Sequence, residues 1–188
     1  MDVTMKKATL LLAALLTLAA LTACGTPQKA AMQLSASEFS DETTQVLGIV
    51  QDELAFFDYS IDDTVKSCSI DFWMFQDGQW INLGKVSGKA GAGQHRVAVR
   101  MTDSVCELYQ MEEEGYTKSS YPVSAGLNDC SSTGGSRLET VTAIEPDKEM
   151  VLWAMFGSNA PAMSLGNLDD FRTTECDAGL AATITFSK

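Results

Sequence analysis

Across residues 67–83 apolar side chains recur at every second position, and the run is broken once, by Asp77-Gly78. Period two is the signature of a strand. An Asp-Gly pair between two alternating runs is a hairpin turn, because both residues tolerate a positive φ. Centring the turn there sets Gln76 opposite Gln79, Phe75 opposite Trp80, Met74 opposite Ile81, Trp73 opposite Asn82 and Phe72 opposite Leu83. One face of the hairpin then carries Cys68, Ile70, Phe72, Met74, Ile81 and Leu83 and reads as core. The opposite face carries Asp71, Trp73, Phe75, Trp80 and Asn82.

The same alternation predicts strands over 94–101, 105–111, 117–125, 138–144, 150–156 and 180–186, separated by Gly, Asp, Asn and Ser clusters. In the last of these, Leu180, Ala182, Ile184 and Phe186 alternate with Ala181, Thr183 and Thr185, as in a half-buried strand. Residues 43–57 are read as a further strand despite Gly48. Six to nine short strands without a strong helical period predict an all-β chain, a single β-sandwich whose connection, jelly-roll or immunoglobulin-like, stays open.

The N-terminus has a different character. Lys6 and Lys7 precede an uncharged run of Ala, Leu and Thr over 8–21, the arrangement of a secretory signal, and 14 residues are too few for a comfortable helical span of the bilayer. The run ends in Leu21-Thr22-Ala23-Cys24, which resembles the lipobox of bacterial lipoprotein precursors. That resemblance implies cleavage before Cys24 and attachment of diacylglycerol, with acyl chains such as palmitate, to the Cys24 sulfur. It divides the chain into a signal peptide over 1–23, a lipidated flexible tether over 24–40 and a β-sandwich domain over 41–188. The implied location is the extracytoplasmic face of the cell membrane.

Charge supports the same division. Loss of residues 1–23 takes two Lys and one Asp from a chain of 188 residues at −12 and leaves 165 residues at −13. Such acidity argues against a nucleic-acid partner, and it also repels an anionic membrane surface, so the lipid on Cys24 is the expected anchor. About 145 residues remain for one domain, enough for a core without staples.

Several patterns exclude chemistry. His95 is the only histidine, so a multi-histidine metal site is impossible and any histidine base is His95. The loop before it, GKAGAGQ, lacks the closing Gly-Lys-Ser/Thr of a phosphate-binding loop. Cys68, Cys106, Cys130 and Cys176 remain after Cys24; an even number in an exported chain reads as two disulfides of open connectivity, or as buried thiols. Asp58, Asp62 and Asp63, and likewise Asn167, Asp169 and Asp170, offer hard oxygens without EF-hand spacing, so no metal and no cofactor is expected.

The segment over 57–67 followed by a strand and Asp77-Gly78-Gln79-Trp80 resembles small uncharacterised lipoproteins of Gram-positive gut bacteria. The resemblance implies an exported β-domain and carries over no site residue. The residues themselves nominate Trp73, Phe75 and Trp80 as an aromatic platform for a glycan or an envelope protein, in a domain without catalytic residues. A structural lipoprotein without a small ligand is the alternative, and an envelope hydrolase built on acids or His95 comes third. Oligomeric state is not legible.

Overall fold

The computed structural model describes residues 31–49, 53–161 and 163–188, so Cys24, the lipobox and the signal segment lie outside the described residues. Within them the chain is the expected β-sandwich: two antiparallel sheets packed face to face. The strands are β1 (Gln33–Ala36), β2 (Leu54–Ile61), β3 (Ser67–Gln76), β4 (Gln79–Lys89), β5 (Gly93–Met101) and β6 (Val105–Glu112). They continue with β7 (Gly115–Pro122), β8 (Ser132–Arg137), β9 (Thr142–Ala143), β10 (Glu149–Ser158) and β11 (Ala178–Ser187). The first sheet runs β7-β6-β5-β2-β1-β9 and the second β4-β3-β11-β10-β8. Phe57, Val97, Val99 and Leu108 from the first meet Ile70, Phe72, Leu152, Leu180, Ile184 and Phe186 from the second in a buried core.

The hairpin at Asp77-Gly78 forms as its alternation dictates. Both turn residues have positive φ, 52° and 79°, and the pairs from Gln76–Gln79 to Trp73–Asn82 are in the expected register. Phe72, however, pairs with Gly84 rather than Leu83, because a bulge intervenes between Phe72 and Trp73. The bulge brings Gly84 under the ring of Tyr121; a Cβ at that position would lie 2.0 Å from the ring, so only glycine fits the approach.

Three expectations are corrected. Residues 43–57 are not one strand: Asp41–Leu47 is a short helix, α1, and β2 begins only at Leu54. The signal was present in Ser40, which caps the helix by accepting from the Thr43 N–H at 3.4 Å, and in Asp41 and Glu42 on the first turn. The strand expected over 138–144 reduces to β9, while β8 arises upstream from Ser132–Arg137, a sequence too poor in apolar residues to show alternation. The tether does not extend to residue 40, since Gln33–Ala36 pairs with β2 on one side and Gln33 and Leu34 pair with β9 on the other. Leu34 is fully buried, so β1 belongs to the sandwich.

The two sheets differ in their outer faces. The first alternates cleanly: Ala55, Phe57, Tyr59 and Ile61 of β2 point inward and are buried, while Leu54, Phe56, Asp58 and Ser60 face out. The second does not, because β10 and β11 are buried on both faces. Thr183 and Ala181, expected on a solvated face, are fully buried. The segment Leu168–Thr173, in 3-10 turns, crosses that outer face and seats Phe171, at 0% exposure, against Val151, Ala154, Phe156 and Ala181.

Because Leu34 fills a core position, Leu34→Ala is expected to lower unfolding free energy by about 2–5 kcal/mol in urea titrations. A Leu34 in a solvated tether would leave the midpoint unchanged.

Candidate binding site

The aromatic platform lies on the covered side. Trp73, Phe75 and Trp80 do share the outer face of the β3–β4 hairpin, but each ring is only partly exposed. Trp80 meets Phe171 edge-on at 4.8 Å and Phe75 at 5.6 Å. The Arg172 guanidinium lies 4.3 Å from the ring centres of both Trp73 and Phe171 while its nitrogens bind Glu149 at 2.7 and 3.0 Å. The Trp73 indole N–H donates to Thr183 Oγ1 at 3.0 Å, whereas that of Trp80 is buried without a partner. Trp73 and Trp80 pack on a second, smaller core under Leu168–Thr173 and Phe75 joins them through Trp80, so the three rings are partly covered.

The open face belongs to the first sheet, where β1, β2 and β5 line a cleft of about 910 Å³. Strand alternation aims Ser35, Asp58, Ser60, Gln94 and Arg96 outward into it, since Ser35 pairs with Asp58, Asp58 with Arg96, and Ser60 with Gln94. Asp58 and Arg96 form a two-pronged ion pair, Nε to Oδ1 at 2.6 Å and Nη2 to Oδ2 at 2.8 Å, and Ser37 donates to Asp58 at 2.8 Å. The Arg96 hydrogen bond holds the Asp58 carboxyl below the usual carboxylate range, against a smaller opposing effect of burial. Arg96 in turn lies 4.7 Å from the centre of the Phe39 ring, which packs edge-on against Phe56 at 5.2 Å. Glu38 and Glu139 line both this cleft and an adjoining depression of about 530 Å³ beside α1.

Farther along the same face, β6 and β7 are closed over by charge. Glu107 is 5% exposed and accepts from Lys118 Nζ and Tyr109 Oη at 2.7 Å and from Arg100 Nη1 and Ser120 Oγ at 3.3 Å. Chiefly through the Lys118 hydrogen bond, its pKa falls from the ordinary 4.5 to about 2. This network ties β5, β6 and β7 together and leaves the cleft at the β1–β2–β5 end.

Other expected candidates are scattered. His95 lines the cleft, but its ring stacks on Tyr59 at 5.0 Å and its Nε2 is 2.7 Å from the Gly91 carbonyl oxygen. Cys68, Cys106, Cys130 and Cys176 are all free thiols, so the two-disulfide alternative is not realised. Burial pushes the thiols of Cys68 and Cys106 up to about 12 and that of Cys176 up to about 11, which suppresses their reactivity. Asp58 is engaged by Arg96, whereas Asp62 accepts from the Thr64 N–H at 2.8 Å in the turn after β2. Among the described residues no group of three or more His, Cys, Asp or Glu is placed to hold a metal ion.

The cleft residues Ser35, Ser60 and Gln94 were not singled out in the sequence. Their signal was the polar parity of β2 and β5, opposite Phe57, Tyr59 and Val97.

Because the folded pKa of Glu107 is depressed, its contribution to stability is present above about pH 4.5 and is lost as pH falls toward 2. Urea titrations across that window should show a steeper loss for the wild type than for Glu107→Gln, which at neutral pH is itself destabilised by about 1–3 kcal/mol. No protein-family model, curated protein or solved structure shows a significant match to the chain.

Proposed function

We propose that the chain is a lipoprotein anchored through Cys24 on the extracytoplasmic face of the cell membrane, and that its sandwich is a non-enzymatic binding domain for a glycan. The cleft on the first sheet carries the binding part of this reading. Its walls offer alternating donors and acceptors, Gln33, Ser35, Ser60 and Gln94 beside the Asp58–Arg96 pair, the complement that sugar hydroxyls require. The adjoining depression beside α1 suits an extended oligosaccharide rather than a single ring. Glu38, Glu112, Glu113 and Glu139 line the cleft and repel polyanions, which favours a neutral sugar chain.

Absence of catalysis is part of the proposal. Glycoside hydrolysis needs a carboxyl held protonated near neutrality, and the Asp58 carboxyl, paired with Arg96, is shifted the opposite way. The anchoring part rests on Lys6 and Lys7, the apolar run and Leu21-Thr22-Ala23-Cys24. Among the described residues no helix is long and apolar enough to cross a membrane.

Two measurements test the reading. A glycan array followed by isothermal titration of the purified protein should find neutral oligosaccharides bound, with affinity reduced about three- to tenfold by Gln94→Ala, the range for one lost hydrogen bond. Absence of binding, or binding indifferent to Gln94→Ala, would overturn the cleft as the site. Expression with radiolabelled palmitate should label the wild type and not Cys24→Ser, and the latter should leave the membrane fraction; equal labelling of both would remove the anchor.

A further inference from the structure

Two rows of polar side chains cross the cleft on the first sheet. Register sets Ser35 of β1, Asp58 of β2 and Arg96 of β5 in one row, and Gln33, Ser60 and Gln94 in the next. The rows are two residues apart on each strand, which puts them on one face and about 7 Å from each other. All of these residues line the cleft.

Within the first row Arg96 is held on one edge. Its Nε–H and an N–H of Nη2 go to Asp58 at 2.6 and 2.8 Å, and Ser37 donates to the same carboxylate at 2.8 Å. The guanidinium carbon lies over the Phe39 ring, 4.7 Å from its centre. A guanidinium bonded side-on in this way keeps its end: one N–H on each Nη points outward, and the two are parallel. Among the described residues Arg96 bonds only Asp58, and its side chain is 37% exposed.

Asp58 also determines what charge this fork presents. Together the two residues are neutral, and Glu38, Glu112, Glu113 and Glu139 line the rest of the cleft. A carboxylate or phosphate, the common partner of a guanidinium fork, is repelled there. Two adjacent uncharged hydroxyl oxygens accept from the same parallel donors without that penalty.

We propose that the free end of Arg96 is the specificity determinant of the cleft and that it selects sugars carrying a vicinal diol. Each Nη donates one N–H to one of two neighbouring ring hydroxyls, while Ser60 or Gln94 in the second row bonds a further hydroxyl. The proposal rests on the glycan reading of the cleft and narrows it. In a 1,4-linked hexose chain every internal ring keeps adjacent hydroxyls at C2 and C3, whereas in a 1,4-linked 2-acetamido chain the acetamido group has replaced one of them. A site built to bond both hydroxyls leaves a donor unpaired on the second kind of chain, and such sites discriminate strongly.

The test probes an array of 1,4-linked oligosaccharides of glucose, mannose, galactose and N-acetylglucosamine with the purified protein, before and after mild periodate oxidation. Periodate cleaves the carbon–carbon bond of a vicinal diol. At least one hexose chain should bind and lose binding on oxidation, and the N-acetylglucosamine chain should not bind. In isothermal titration Arg96→Lys, which keeps the charge and loses the paired donors, should weaken that hexose chain at least about tenfold. Asp58→Asn leaves the Arg96 charge uncompensated, so oligogalacturonate should bind this variant and not the wild type; a loss of folding would produce no such gain. Binding that survives periodate, that favours the N-acetylglucosamine chain, or that Gln94→Ala lowers while Arg96→Lys leaves it unchanged would overturn the diol and keep the glycan cleft. No binding to any of the sugars would overturn the cleft reading together with it.

Discussion

The burial of β10 and β11 on both faces is the constraint around which the rest of the molecule is arranged. A sheet whose centre is apolar on two sides needs two covers. One is the other sheet. The second must come from the chain itself, and Leu168–Thr173 provides it through Phe171, with Arg172 lying over Trp73 and bound to Glu149. Burying an aromatic side chain of this kind is worth roughly 1.5–3 kcal/mol. That contribution accounts for a crossing segment with so little regular structure of its own holding its place.

Covering the second sheet leaves Trp73, Phe75 and Trp80 only partly exposed, while the outer face of the first sheet turns alternate positions of β2 to solvent. On that face the strands spend their outward positions on polar groups in two different ways. Around Glu107 the groups satisfy one another and close the surface, with Lys118, Tyr109, Arg100 and Ser120 converging on one carboxylate. Around Asp58 and Arg96 they surround a cleft with room for a ligand. The domain thus separates a polar surface closed by its own hydrogen bonds from one that borders a cleft.

Edges follow the same economy of length. β9 spans two residues and reaches only Gln33 and Leu34, while Ser35 and Ala36 line the cleft and Ala36 also lines the depression beside α1. β8 closes the other sheet, and Arg137 at its end and Glu139 just beyond it line the depression beside α1.

Local chemistry was readable wherever it was decided by neighbours along the chain. Alternation and Asp77-Gly78 determined the hairpin and four of its cross-strand pairs, parity placed Cys68, Ile70, Phe72 and Met74 in the core, and the class of fold followed from repeated alternation. The likeness of Leu21-Thr22-Ala23-Cys24 to a lipobox and the excess of acid are likewise read from the sequence alone. Tertiary structure decided the rest, because each remaining question turned on contacts distant in the chain. Leu34 became core by meeting β2 and β9, Thr183 is buried where its hydroxyl accepts from Trp73 and donates to Glu149, and the bulge at Phe72 sets Gly84 against Tyr121. Which aromatic face is covered is decided by that long-range packing, to which period two along a single strand is blind.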